Sequence, residues 1–326
     1  MNRGYEKALY LLPFDHRRSY VDGLFGFKPP LSASHREDVI DSKQLIFQGF
    51  RQALAEGVPR EAAAILVDEE FGTHILSDAH RRGFVTAVSV EKSGVDEFEF
   101  EYGDDFANHI EAFDPSFAKV LVRYNSEGDK ALNLRQIGRL KHLSDYCQRS
   151  DRRFMFELLV PATTGQLARM DGDKDAFDRQ LRPDSMLQAI QALQAAGVEP
   201  DVWKIEGLDS RDDCERIVKM ARRDGRNGVG CIVLGRGADE ARVRTWLATA
   251  KGVEGFIGFA VGRTTFWDAV TGYRARTLTR NEAASQIATR LRNWVDTFQQ
   301  ARQSHALRTE PATEVKQLAE HVNSIL

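Results

Sequence analysis

The chain of 326 residues is poor in three things: cysteine, long apolar runs, and blocks of one charge sign. Its three cysteines, Cys147, Cys214 and Cys231, are widely spaced and odd in number. They form neither the CxxC pairs of a metal site nor the framework of a secreted disulfide scaffold, so a reducing cytoplasm is the expected compartment. No apolar run approaches the length, about 20 residues, that spans a bilayer. The first run, in MNRGYEKALYLLPFDHRR, reaches an aspartate quickly and offers no small-residue cleavage site, so neither a leader nor a membrane contact is expected. Lys and Arg number 45 against 48 Asp and Glu, a net charge of −3 spread along the chain. That balance carries no footprint for nucleic acid and leaves small anionic substrates as candidate ligands.

What the sequence does have is 42% hydrophobic residues, enough for a sizeable core, and a regular alternation of short apolar runs with longer amphipathic stretches. The runs are ALYLLPFD (8–15), AAILVDE (63–69), FVTAVSVE (84–91), AKVLVRY (118–124), RFMFELLV (153–160), DVWKIE (201–206), GCIVLG (230–235) and GFIGFAV (255–261). Helical spacing of apolar residues marks 42–57, 134–150, 183–197 and 212–225, several with a glycine just past the end. Strands each followed by a helix specify a closed (β/α)8 TIM barrel. An open Rossmann sheet would want GxGxxG after the first strand, where DHRRSYVDG stands instead. The expected organisation is one barrel domain over 1–303, ending in a helix at about 281–303, and a partly helical C-terminal tail over 304–326. Residues 161–182 form a long connection after the fifth strand, of the kind that serves as a lid or wall.

In such a barrel the chemistry sits where the strands end. The first ends in Asp15-His16-Arg17, the second in Asp68-Glu69-Glu70, the third in Glu91-Lys92 and the fourth in Arg123. The fifth carries Glu157, the sixth Lys204 and Glu206, the seventh ends Gly235-Arg236-Gly237 and the eighth Gly262-Arg263. Charges inside apolar strands need partners, and a ring of alternating acids and bases supplies them.

Lys204 shares a strand face with Val202 and Glu206, and a mid-strand charge in a barrel points to the interior. One reading is a structural ion pair with Glu157 or Glu206. The other is a nucleophilic amine whose pKa is depressed by desolvation and by cations such as Lys119, the condition for a Schiff base. Glu157 is then the proton shuttle, a carboxyl that an apolar wall lets keep its proton near neutrality; its plainer role is counter-ion to Lys204. Asp15 is placed to hold a substrate hydroxyl or act as a second base. His16 and Arg17 read as ligand contacts or loop anchors. A metal-dependent barrel would want several strand-end histidines or clustered carboxylates, whereas His16 is alone, so neither a metal nor an organic cofactor is expected.

The Gly235-Arg236-Gly237 and Gly262-Arg263 turns fall where barrels bind phosphate. Glycine allows close approach of backbone N–H groups, a following helix start adds its positive end, and arginine adds a forked contact. An ion-pair role at the rim is the alternative for Arg263.

Together these pieces resemble the class I tagatose-1,6-bisphosphate aldolase family and its sulfo-sugar phosphate aldolase relatives. The matching stretches are FDHR with Asp15, LVDEEFG with Asp68, VEKSG with Glu91 and Lys92, AKVLVRYN with Lys119, FELLVP with Glu157, VWKIE with Lys204, and Gly262-Arg263. They run in order from about residue 8 to 265. The opening LLPFDHRRSYVDGLFG is similar to that of the aldolase-like domain fused behind sugar kinases of bacterial inositol catabolism. The resemblance implies a class I lyase cleaving 2-deoxy-5-keto-gluconate 6-phosphate to dihydroxyacetone phosphate and malonate semialdehyde; tagatose-1,6-bisphosphate and sulfofructose-phosphate are its other implied substrates. Carried over residue by residue, Lys204 forms the imine, Glu157 moves protons, Asp15 manages hydroxyls, Lys119 lies near the imine and Arg263 holds phosphate. Arg17, Lys92 and Arg123 are the candidates to meet a substrate carboxylate at the other end. His16, Arg17 and Arg123 are where the chain departs from the tagatose enzymes, which bears on the substrate more than on the chemistry. A barrel that binds a sugar phosphate without turnover is the rival from another class, and assembly of copies suits a barrel of this kind.

Overall fold

In a computed structural model, which describes residues 4–306 with side chains through Gln299, the eight strands close into one parallel barrel in chain order. They are β1 (Leu9–Pro13), β2 (Ala63–Val67), β3 (Val85–Ser89), β4 (Phe117–Arg123), β5 (Arg153–Leu159), β6 (Val202–Glu206), β7 (Gly230–Leu234) and β8 (Phe256–Ala260). The ring shuts where β8 pairs with β1, Tyr10 opposite Phe259. Around it run the short turn α1 (Arg18–Tyr20), α2 (Ala33–Ala55), α3 (Glu69–Arg81), α4 (Phe106–Phe113), α5 (Lys130–Arg149) and α6 (Thr164–Arg169). The outer layer continues with α7 (Lys174–Gln180), α8 (Arg182–Ala195), α9 (Arg211–Ala221), α10 (Glu240–Ala250), α11 (Arg263–Arg274) and α12 (Arg280–Ala306). No helix among the described residues is long and apolar enough to cross a membrane.

Every expected strand is present, within one or two residues of its expected ends. Helix α2 begins well before residue 42, because Ser32 caps it by accepting from the His35 N–H at 3.1 Å. Its first two turns, SASHRED, carry no apolar stripe, so helical spacing cannot announce them. The final helix, expected at 281–303, is α12; it packs along α2 and α11 and closes the outer layer between the last strand and the first. Trp294 anchors it, donating from Nε1 to Thr265 Oγ1 at 3.0 Å, and Phe298 meets Tyr10 edge-on at 6.2 Å. Burying side chains of this size is worth about 1.5–3 kcal/mol each. The expected tail beginning at 304 overlaps the last turn of α12; residues 307–326 lie outside the described residues.

Strand periodicity sorts the barrel interior into layers. Leu9, Leu11, Leu66, Phe117, Met155, Val202 and Ile232 form an apolar plug. Two residues further along β4, β5 and β6, on the same inward face, come Lys119, Glu157 and Lys204. The charged layer thus rests directly on the plug, at the C-terminal mouth. The connection after β5 is no open loop: it folds into α6, with a Thr163/Gln166 capping box, and α7, capped by Asp173.

Candidate active site

Two lysines and three acids meet above the plug. Lys119 Nζ lies 2.9 Å from Asp15 Oδ2, 2.7 Å from Glu91 Oε1 and 2.9 Å from Glu157 Oε2. An ammonium has three N–H donors, so Lys119 is saturated. Lys204 Nζ lies 2.8 Å from the same Glu157 oxygen, its single ion-pair partner among the described residues. The register explains the contact, since Glu157 and Lys204 stand opposite one another in the β5–β6 ladder. Ser89, at the end of β3, donates to Asp15 Oδ2 at 2.9 Å. All five charged side chains are buried.

Burial opposes ionisation of Glu157, but Lys119 and Lys204 outweigh it and hold its pKa below the usual carboxylate range. The expectation of a carboxyl that keeps its proton near neutrality therefore fails for Glu157: in the free site it is a carboxylate, held so by the two ammonium groups beside it. The carboxyl that burial does push up, despite Lys119 and Arg17, is Glu91, whose Oε2 is buried without a partner. Burial also opposes charge on Asp15, and again Lys119, with His16 and Lys204 behind it, holds the pKa low. Burial disfavours the Lys119 ammonium, yet Asp15, Glu157 and Glu91 keep its pKa well above the ordinary lysine value. His16 is pushed down to about 4 by burial and by the Arg263 and Lys204 charges, against Asp15. Its Nδ1 is buried without a hydrogen bond, 4.0 Å from Asp15 Oδ1.

The cluster opens into a cavity of about 540 Å³. Of the candidate catalytic, substrate-binding and phosphate-binding residues, Asp15, His16, Arg17, Lys92, Lys119, Arg123, Glu157, Lys204, Arg236, Gly262 and Arg263 line it and Gly235 does not; the strand-end acids Asp68, Glu69, Glu70 and Glu206 also lie off it. Gly235 sits behind the wall, its N–H donating to Ala260 O at 3.0 Å. At the β7–β8 side, α11 starts at the cavity with Gly262 as its cap, and Arg263 Nη2 donates to Arg236 O at 3.1 Å. Gly237, at φ +72°, lies under the Arg263 guanidinium, where a Cβ would stand 2.3 Å from Nη2. Arg236 bonds from Nε to Glu206 Oε1 at 2.9 Å and from Nη1 to Asp178 Oδ2 at 2.7 Å.

Glu206 therefore serves Arg236 and the buried Arg182, 3.1 Å away, rather than Lys204. Its other oxygen accepts from the Val160 N–H at 2.9 Å. Asp178 lies on α7, so the excursion after β5 is bonded through Arg236 into the wall that follows β7.

On the opposite side, Arg17 is buried, donating to Glu101 Oε2 at 2.6 Å and to the Glu91 carbonyl. Lys92 pairs with Glu99 at 3.2 Å. Arg123 is half-exposed, with only Val95 O at 3.4 Å and Asp96 at 3.9 Å near it. Asp68 turns away from the cavity: it caps α3 and forms a fully buried pair with Lys43 of α2, which also donates to His16 O at 3.1 Å.

Sequence reasoning missed Lys43, Ser89 and Arg182. Lys43 was within reach, because Val39, Lys43, Ile46 and Phe50 fall at helical spacing on the buried stripe of α2. Ser89 is two residues before Glu91 on one strand face. Arg182 carries no signal beyond the proline that follows it.

The chain is a (β/α)8 barrel with a lysine–carboxylate cluster at its mouth. It belongs to the family described as "Uncharacterized protein conserved in bacteria (DUF2090)", whose model matches residues 1–302. No curated protein matches it in sequence. Among solved structures, a structural-genomics target from Corynebacterium glutamicum is similar with 15% identity and a TM-score of 0.53, over 90% of this chain and 88% of that one. A fructose-bisphosphate aldolase from Slackia heliotrinireducens shares 11% identity at TM-score 0.53, over 86% and 85% of the two chains. A Schiff-base-forming fructose-1,6-bisphosphate aldolase shares 12% at TM-score 0.53, over 90% and 94%. At these identities the likeness establishes the fold.

Proposed function

We propose that this barrel is a class I aldolase, a carbon–carbon lyase that works through an imine on Lys204. The observation that carries the reading is the contrast between two buried lysines that both line the cavity: Lys119 has all three donors engaged by acids, whereas Lys204 has one acid partner among the described residues. A saturated ammonium is no nucleophile. An amine with one carboxylate beside it needs to pass on one proton.

Glu157, a carboxylate in the free site, takes that proton as the Lys204 amine adds to a ketone carbon. It returns the proton to the carbinolamine hydroxyl, which leaves as water and gives the protonated imine. The imine withdraws electrons from the adjacent carbon–carbon bond; as the hydroxyl proton on the departing carbon passes to a base, Glu157 (again a carboxylate) or a substrate phosphate, that bond breaks, an aldehyde is released and the electron pair stays as an enamine on Lys204. Asp15, fixed by Lys119 and Ser89, is positioned to hold a substrate hydroxyl. Protonation of the enamine and hydrolysis of the imine complete the cycle.

Arg263, with the start of α11 and Gly237 beneath it, is the proposed phosphate site. The substrate class is a phosphorylated ketose or keto-acid, and the resemblance at the strand ends favours 2-deoxy-5-keto-gluconate 6-phosphate, giving dihydroxyacetone phosphate and malonate semialdehyde. Three buried free cysteines suit a reducing cytoplasm. Borohydride trapping with dihydroxyacetone phosphate, read by intact-protein and peptide mass spectrometry, tests the chemistry. An adduct on Lys204 supports it. Phosphate-ligand binding without an adduct or turnover would replace it with a sugar-phosphate-binding barrel. Assay against the keto-acid phosphate, tagatose-1,6-bisphosphate and sulfofructose-phosphate ranks the substrates.

A further inference from the structure

Lys43 belongs to an outer helix, yet its ammonium ends at the back of the site. It and Asp68 are fully buried, and neither lines the cavity. A buried ion pair often stabilises no more than well-packed apolar side chains of the same volume would, so its presence between α2 and the barrel points to a task of placement. Asp68 gives one oxygen to the cap of α3, accepting from the Phe71 N–H at 2.9 Å, and the other to Lys43. The ammonium stands 5.5 Å from the Tyr20 ring centroid and 5.4 Å from that of Phe71, and Tyr20 is fixed in turn by a 2.9 Å hydrogen bond to Ser42 of α2. This seat aims the ammonium at the His16 carbonyl, 3.1 Å away.

The residues that follow β1 are held in different ways. The β1–β2 ladder ends at Pro13 opposite Leu66, and Phe14 N–H still reaches Leu66 O at 2.9 Å. Asp15 is then held by its side chain, through Lys119 and Ser89, and Arg17 by its side chain, through Glu101 and the Glu91 carbonyl. His16 between them is different. Its Nδ1 is buried without a hydrogen bond, and its ring packs edge-on to Phe266 at 6.3 Å and beside Gly262, where a Cβ would stand 3.5 Å from Cε1. The polar anchor of His16 is its carbonyl, and the donor to it is Lys43.

We propose that Lys43, seated by Asp68, is a positioning residue: through the His16 carbonyl it holds the imidazole in the cavity wall beside Asp15, where the ring meets the ligand. The proposal rests on the aldolase reading only for what the ring then touches, a hydroxyl or carbonyl oxygen of the substrate. A neutral imidazole donates from one nitrogen and accepts at the other, so a ring kept in one place can orient such a group in one way. The charged groups that face it are Asp15, Arg263, Lys204 and Glu157. Lys43 and Asp68 lie off the cavity and together carry no net charge, so their effect on the ring is one of geometry.

Two double variants test it: Lys43→Met/Asp68→Asn, and Lys43→Gln/Asp68→Asn, whose neutral pair can still bond internally but stops one bond short of the His16 carbonyl. Both keep a capping oxygen for α3 and leave the net charge unchanged, so a change at His16 reports movement. Both are expected to fold. In histidine NMR spectra, with His16 assigned by its loss in His16→Gln, the titration midpoint should move from about 4 towards 6.5, by about one pH unit or more, as the ring reaches water. On whichever of the three candidate substrates the parent cleaves, kcat/KM should fall about 10- to 100-fold, and the same substitutions should cost little in a His16→Gln background. An unmoved His16 midpoint in a folded variant overturns the proposal, as does unchanged kcat/KM despite a moved ring. Failure of both variants to fold overturns it too, by making the pair a requirement of folding. The aldolase reading fails separately: with no borohydride adduct on Lys204 in the parent, the His16 midpoint still decides for or against Lys43.

Discussion

Lys204 and Lys119 share one carboxylate oxygen, Oε2 of Glu157, at 2.8 and 2.9 Å. Because Lys119 has two further acids and Lys204 has none, the two lysines respond differently to removal. Lys204→Met leaves Glu157 paired with Lys119, so the fold should hold while turnover and the borohydride adduct disappear. Lys119→Met takes the ammonium from Asp15 and Glu91 and leaves Glu157 with Lys204 alone, and should cost about 3–5 kcal/mol of stability. Urea unfolding of the two variants, with mass spectrometry after trapping, checks both; a Lys204→Met protein that still cleaved substrate would end the imine mechanism.

Asp15 and Glu91 flank the same ammonium and are expected to oppose each other in pH dependence. The folded-state pKa of Asp15 is depressed, so its contribution is present above the ordinary aspartate value and lost as pH falls through the folded value. Asp15→Asn should lower the melting temperature at pH 7. The pKa of Glu91 is raised, so its contribution is present below the ordinary glutamate value and lost as pH rises through the folded value. Glu91→Gln should therefore melt at or above the parent at pH 8, with the advantage shrinking towards the ordinary carboxylate range. Melting curves across pH decide it.

His16 is expected to be neutral throughout the physiological range. With its pKa at about 4 against 6.5 for an ordinary imidazole, the unfolded chain takes up a proton between these values and the folded one does not, so the parent loses stability as pH falls through that window. His16→Gln should flatten this part of the curve. Its ring resonances should show no titration at neutral pH, and a midpoint near 6.5 would contradict the account.

Gly237→Ala places a methyl group against the Arg263 guanidinium at a left-handed φ. The flexible arginine must move, so this variant and Arg263→Gln should weaken phosphate-ligand affinity alike, by about tenfold, the value of one charge-assisted contact. Lys204 trapping at saturating dihydroxyacetone phosphate should survive in both. Unchanged affinity in both would remove Arg263 from the phosphate site and leave it only its bond to the Arg236 carbonyl.

Much of this was legible because apolar runs of five to seven residues interrupted by a charge are unusual in a sequence. Lys119, Glu157 and Lys204 each break such a run two residues beyond a plug residue, and strand periodicity carries them to the interior together. Helix-borne partners were harder. Lys43 and Arg182 lie on outer elements, and their burial follows from how helices dock on the barrel, which spacing within one helix records only faintly. Neighbours in a loop were harder still: Arg17 turns inward to Glu101 while Arg18 lies out across Gly94, and no period distinguishes them. The partners of Glu206 depend on Asp178 and Arg236, 58 residues apart, meeting at one corner. The protonation of Glu157 depended on knowing that two ammonium groups, not one, reach the same oxygen.

The plug under the charged layer has a kinetic consequence. Phe117, Met155 and Val202 close the barrel directly beneath Lys119, Glu157 and Lys204, so the cavity has a floor and no reactant passes through the barrel. On the proposed chemistry, the fragment tethered to Lys204 cannot leave before its imine is hydrolysed, whereas the free aldehyde can. Departure is then ordered, aldehyde first and ketone last, and in the reverse direction the ketone must enter before the aldehyde finds anything to react with.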